Sequence, residues 1–450
     1  MPPLTTAAPS GRFERRWPFR AGIPNLRWWI AFMLFLSTVI DYISRQTLSV
    51  AAPTLMRQFH LSDSAYAHIT AGFLAGYTII PLVGKLLDRL GAKRGLSLSV
   101  FGWSVVSVLH ALAQGFFSLL SLRFLLGLAE GLNWPGATKA VSEWFPPSER
   151  SLAAGFFDSG SSVGSIIAVP LVAMLILRHG WRTAFVCTGA LGFFWVVVWQ
   201  FLYYPWKHHP ALGEAERQLL TSSLPPTEEQ AIQPSTQSLL RYRQIWAIML
   251  GRACTDSIWW FYVFWLPQYL IGSRGFSLRL LATLGWVPFL FADLGNFCGG
   301  GASTWLAKHG QSLTRARKAV LLCSGAMMVL VAPATLLPGN AAVISTISAW
   351  TFFYAAFSTI LLALPSDLFA PTEVGAAAGL CQAGSGAGAI VVQLCIGVLL
   401  DHFHSYGSVF ALAAFLPLIA TVSALVMIPK VDLLRRTDQT ASTEVSPDFG

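Results

Sequence analysis

The sequence predicts an all-α membrane protein of twelve transmembrane helices in two six-helix halves. Three observations carry this. The 450 residues are 54% hydrophobic and only 11% charged, where a soluble domain carries about 25% charged residues. The apolar runs are about 20 residues long, enough for a helix to cross a bilayer, and do not alternate as barrel strands do. Finally, WFPPSERSLAAGFFDSGSSVG (144–164) aligns without a gap on LFAPTEVGAAAGLCQAGSGAG (368–388). Phe145/Phe369, Pro147/Pro371, Glu149/Glu373, Gly155/Gly379, Gly160/Gly384, Ser161/Ser385 and Gly164/Gly388 coincide. Repeats of this kind, with a site between the copies, are a transporter architecture.

In chain order, residues 1–25 hold Arg12, Arg15, Arg16 and Arg20 among Pro, Gly and Thr and read as a polar tail. The first half is 26–204, with spans 1 to 6 at about 26–52, 66–88, 95–114, 117–144, 150–177 and 182–204. Residues 205–243 are Pro-rich at both ends and carry Glu214, Glu216, Glu228 and Glu229; they form a linker with a short surface helix near 212–220. The second half is 244–430, with spans 7 to 12 at about 244–270, 277–306, 317–336, 341–369, 372–400 and 406–429. A polar tail occupies 431–450.

Under this scheme the basic residues sort by side. One set of loops holds only Arg57, Arg178, Arg182, Arg274 and Arg279, while the other loops, the linker and both tails hold most of the remainder. Positive charge marks the cytoplasmic side, so both termini are expected there, in a multi-pass protein of the cell (inner) membrane. The formal charge of +9 is thereby topogenic and calls for no nucleic acid. The expected partners are the lipid bilayer, protons and a small organic anion, with the chain acting as a monomer. Neither a metal nor a cofactor is expected. Cys187, Cys254, Cys298, Cys323, Cys381 and Cys395 are scattered along apolar runs without a zinc spacing, and the nine His include no HExxH. Gly84–Lys85 lacks the spacing of a Walker A loop, and GSGAGA (384–389) lies inside an apolar helix. The amino-terminal stretch lacks the short apolar core and cleavage site of a signal peptide.

The chemistry centres on Ser37–Pro53 of span 1, an apolar run that keeps Asp41 and Arg45. Four residues apart, they share a helix face. Each charge at mid-bilayer costs about 2.5–3.5 kcal/mol on insertion scales, so such a pair has a use or is self-satisfied. The first alternative turns this face toward a polar cavity and an anion. Span 4 adds Arg123 and Glu130, seven apart on one face, with Asn133 and Trp134 a turn beyond. Burial of a lone carboxyl favours its protonated form, which suits Glu130 to carrying a proton; a static partner for Arg45 or Arg123 is the alternative. Span 7 reads GRACTDSIWWFYVFWLPQYL. Sugars present C–H faces to aromatic rings, so Trp259, Trp260 and Tyr262 are candidates for that contact, with Tyr77 on span 2. Helix packing is the alternative for this stripe. Asp256 is expected to pair with Arg252, four residues before it. Across the repeat Asp158 aligns with Gln382, and Ser161, Gln382 and Ser385 are candidate hydroxyl-binding groups.

GKLLDRLGAKRG (84–95) at the end of span 2 resembles the loop motif of the major facilitator superfamily, apart from Ala92 at its first basic place. The resemblance implies that Asp88 packs at the start of span 11, where the helix dipole favours an anion. It also makes Gly84 a close-packing residue, Gly91 a turn residue and Arg89 part of the gate, with Arg123 as a structural charge. Ala307 stands where the second half would carry the aspartate, so this latch looks one-sided. TVIDYISRQTLSVAAP on span 1 resembles the anion:cation symporter family, closest to its bacterial hexuronate branch, which also matches the aromatic run of span 7. Arg45 falls on the arginine that binds the substrate carboxylate there. The family aspartate is Ser44 here and the family asparagine is Asp41, so the carboxylate has moved back about one helical turn. The resemblance implies proton-coupled import of a sugar-acid monoanion by alternating access, with protons on Asp41 and Glu130. A uniporter or exchanger on the same scaffold, or a membrane sensor, are the rival readings. No enzymatic constellation is present.

Overall fold

A computed structural model describes residues 23–146, 149–223, 236–329, 337–369, 373–432 and 434, with the backbone alone at 80–89, 151, 208, 236 and 237. The amino-terminal tail to residue 22, most of the carboxy-terminal tail, the middle of the linker and the end of span 9 lie outside the described residues, as do the surroundings of Gly84 and the side chains of Asp88 and Arg89. The described chain is a bundle of long helices, nine of which are individually long and apolar enough to cross a membrane. Span 2 is interrupted near Ile79, span 7 is loaded with polar and aromatic residues, and only part of span 9 is described; these three complete the twelve.

Span 1 is Leu26–Phe59. Span 2 starts as Asp63–Thr78 and continues into the helix Ile80–Leu109, which breaks at Gly91 (φ 72°, ψ 165°) and so also carries span 3. A positive φ of this kind suits glycine, and Gly310 (φ 86°) makes the matching turn after span 8. Span 4 is divided into Phe116–Glu130 and Asn133–Trp144, and span 5 into Arg150–Asp158 and Gly160–His179. Span 6 is Trp181–Leu202. In the second half, span 7 is Arg243–Gln268 and span 8 is Leu278–Leu284 with Val287–Lys308. Spans 9 to 12 follow at Leu313–Met328, Asn340–Leu368, Val374–Phe403 and Gly407–Met427.

The repeat seen in the sequence is a repeat of packing. A Cβ on Gly160 or Gly164 of span 5 would stand 2.5 Å from the Phe35 carbonyl or 2.6 Å from the Val39 carbonyl of span 1. Their counterparts Gly384 and Gly388 of span 11 meet Met249 and Ala253 of span 7 in the same way. Small residues let backbones approach where lipid supplies no hydrophobic drive between helices. Gly76 and Gly127 likewise bring spans 2 and 4 into backbone contact, at Phe124 and Phe73. That contact carries Glu130 toward span 1.

The described part of the linker is docked against span 1. Its helix Glu214–Ser223 presents Glu216, whose carboxylate accepts from the Leu26 and Arg27 amides at 2.9 and 3.1 Å. A carboxylate at the start of a helix satisfies orphan donors and complements the dipole. Arg27 in turn pairs with Glu149 at the start of span 5, 3.1 Å away. This marks one end of the bundle, called here the Glu149 end. The other is the Asp63 end.

Candidate substrate and coupling site

Span 1 places Asp41 and Arg45 on one face, and the close approach of spans 2 and 4 sets Glu130 opposite them. Arg45 Nη2 donates to Asp41 Oδ2 at 2.8 Å and to Glu130 Oε2 at 3.0 Å, and Arg45 Nε donates to the same Glu130 oxygen at 3.1 Å. All three side chains are buried, with relative exposures of 0–1%. Arg123, one face along span 4, donates through Nη1 to the Arg45 carbonyl at 3.3 Å. Breaking such a buried pair by removing one partner typically costs about 3–5 kcal/mol, because the other charge is stranded.

Aromatic rings enclose the guanidinium. Its central carbon lies 4.4 Å from the Tyr42 ring centroid and 5.3 Å from those of Phe73, Tyr77 and Trp260. Cation–π attraction at this range contributes roughly 0.5–2 kcal/mol. Trp260 belongs to span 7, so the first-half charge cluster is covered by a ring from the second half. The open, wet gap anticipated around Arg45 is shut in this state.

The network has spare capacity. Asp41 Oδ1, Glu130 Oε1, Arg123 Nε and Nη2 and Asn133 Nδ2 are buried and have no hydrogen-bond partner among the described residues. Asn133 Oδ1 accepts from Ser37 Oγ at 3.1 Å, which ties the break in span 4 to span 1. Buried polar groups are normally paired, so these atoms are open to a further hydrogen-bonding partner.

Other anticipated groups fall elsewhere. Trp259 stacks on Tyr354 at 5.3 Å, and Tyr262 packs on Trp350 at 4.8 Å, so both build the second half and neither faces Arg45. Residues adjacent on a helix point about 100° apart, and of these three Trp260 is the one directed across the interface, against Phe73 and Tyr77. Arg252 Nε bonds Asp256 Oδ2 at 2.8 Å, and Tyr354 donates to Asp256 Oδ1 at 3.1 Å. Ser385 is buried, Ser161 partly so, and Gln382 exposed; among the described residues Arg45 bonds to Asp41 and Glu130 and not to these three. Ser44 bonds Ser107 of span 3 at 2.5 Å and so faces away from the carboxylates. Tyr42 was missed by sequence reasoning, although its place three residues before Arg45 puts it on the same face.

The hydrogen bonds joining the halves gather toward the Asp63 end. Ser49 Oγ and Tyr66 Oη both donate to the Phe264 carbonyl, at 3.0 and 2.7 Å. Thr70 Oγ1 reaches Gln393 Oε1 at 3.4 Å, and the same oxygen accepts from Trp265 Nε1 at 2.7 Å.

Two repeated halves that meet over a buried, charged, incompletely satisfied cluster define a membrane transporter rather than an enzyme. The chain belongs to the Major Facilitator Superfamily, whose family model matches residues 34–353. It is 33% identical to the hexuronate transporter of Escherichia coli (strain K12), over 89% of this chain and 93% of the relative. It is 36% identical to the galacturonate transporter of Dickeya chrysanthemi, over 68% of this chain and 90% of the relative. The probable galactarate/D-glucarate transporter GudP of Bacillus subtilis (strain 168) is 30% identical over 92% of this chain and 95% of its own length. The fold is shared with the inward-open xylose transporter XylE from E. coli, at a TM-score of 0.68 and 16% identity, covering 90% of this chain and 96% of XylE.

Proposed function

We propose that this protein imports a sugar-acid monoanion, a hexuronate or near relative, together with protons across the cell (inner) membrane. The observation that carries the reading is Arg45: a buried guanidinium between two carboxylates of one half and an aromatic ring of the other. A substrate carboxylate takes the place of Glu130 or Asp41 on Arg45. The displaced carboxylate takes up a proton, because an unpaired buried charge is costly. Arg45, Arg123, Asp41 and Glu130 sum to zero when all are ionised. One monoanion plus one proton preserves that sum, so the charge balance supports one net proton per substrate. Trp260 and Tyr77 supply ring faces for the sugar, and Asn133, with Ser161, Gln382 and Ser385 from the repeated segments, supplies polar groups as the halves rock.

Both termini are assigned to the cytoplasm, so the closed Asp63 end faces outward. The halves are taken as 26–204 and 244–430, joined by the 205–243 linker, and the transporter works as a monomer. Gly84, Asp88, Arg89 and Gly91 act in its gate, and Arg123 is the fixed charge that holds span 4 to span 1. A second reading, an exchanger on the same scaffold, follows if Asp41 is only a static i,i+4 partner of Arg45.

The test is uptake by reconstituted proteoliposomes of glucuronate, galacturonate, galactonate and galactarate, with and without an inward pH gradient. Accumulation of a monoacid driven by the gradient is expected. Absence of uptake of every sugar acid overturns the substrate class, and gradient-independent exchange selects the second reading.

A further inference from the structure

Spans 2 and 11 lie against each other in opposite directions, one from each half. Where they cross at the Asp63 end, the Asp401 carboxylate at the end of span 11 accepts from the Asp63 and Ser64 amides, at 3.0 and 3.1 Å. The next amide of span 2, Ala65, is satisfied locally by Ser62 Oγ, and Tyr66 makes the first regular helix bond, to the Ser62 carbonyl. Three of the donors left open by this helix start therefore have side-chain acceptors, and two of those acceptors are the Asp401 oxygens of the other half. One turn before Asp401, Gly397 permits the approach: a Cβ there would stand 2.5 Å from Ala67 Cβ.

The sequence around this contact is Gly397-Val-Leu-Leu-Asp401, and the end of span 2 reads Gly84-Lys-Leu-Leu-Asp88. The same Gly-x-Leu-Leu-Asp pattern thus closes both members of an antiparallel pair. Antiparallel packing brings the end of each span to the start of the other. A carboxylate at a helix start is held by the amides and by the dipole.

We propose that Asp401 is a latch holding the Asp63 end shut, by tying the end of span 11 in one half to the start of span 2 in the other. The structure shows the Asp401 latch engaged. The proposal holds whatever the substrate is.

Ser49, buried beneath this latch, is the reporter position, because Ser49→Cys is nearly isosteric. In a background with the six native cysteines replaced, the protein in lipid nanodiscs is labelled with a polar maleimide. Asp401→Ala is expected to raise the Ser49→Cys labelling rate roughly tenfold, the loss of a charged helix cap. Labelling of Asp401→Ala at the parent rate overturns the latch. Should Asp401→Ala not reach the membrane, Asp401→Asn keeps an acceptor and loses the charge. A rise of about threefold is expected there, and the parent rate overturns the proposal.

Discussion

Glu130 Oε2 accepts two hydrogen bonds from Arg45, from Nε at 3.1 Å and Nη2 at 3.0 Å. One carboxylate oxygen on span 4 thereby occupies the face of the guanidinium that the proposed function gives to a substrate carboxylate. Under that proposal anion binding and the fate of Glu130 are coupled: Glu130 has to let go before an external carboxylate can form the same contacts.

Arg45→Ala is expected to abolish uptake, by roughly a hundredfold or more, the scale of losing a buried hydrogen-bonded charge partner. Arg45→Lys is expected to restore little, since an ammonium cannot present Nε and Nη2 together. Initial uptake rates, normalised to the amount of protein in the membrane, check both. Near-normal rates in Arg45→Ala would remove the carboxylate assignment.

For Glu130→Gln the expectation splits two assays. The amide cannot gain or lose the coupling proton, so uphill accumulation driven by a pH gradient is lost. Counterflow of substrate against substrate needs no net proton movement and is retained. Gradient-driven accumulation at the parent level would relocate the coupling group.

Ser44 faces Ser107 and not Arg45, so Ser44→Asp by itself adds an unbalanced buried charge. Its uptake is expected to fall at least tenfold, from an uncompensated charge of a few kcal/mol. Asp41→Asn combined with Ser44→Asp restores the number of carboxylates and is expected to recover part of the loss. A single Ser44→Asp variant that transports better than the parent would contradict this.

Glycine substitutions separate close packing from open helix surface. Gly164→Ala places a methyl 2.6 Å from the Val39 carbonyl and 2.9 Å from Tyr42 Cβ, and is expected to destabilise by about 1–3 kcal/mol. Gly155→Ala meets nothing within 4 Å and is expected to be neutral, or stabilising by up to about 1 kcal/mol. Thermal unfolding of the detergent-solubilised variants orders them, and equal melting temperatures would argue against the span 1–span 5 contact.

Much of this was legible in the chain itself because it is local. Hydropathy along single helices marks the spans, and the repeat at 144–164 and 368–388 announces two halves. The i,i+4 rule was enough to pair Arg252 with Asp256, and it put Asp41 beside Arg45. Which helix meets which is not local. Tertiary structure decided that Glu130 closes on Arg45, that Trp260 covers it while Trp259 and Tyr262 turn away, and that Asp401 caps span 2. Those outcomes depend on backbone approach at Gly76, Gly127, Gly160 and Gly397. A glycine's value there lies in the partner backbone it admits, and the partner is far away in the chain.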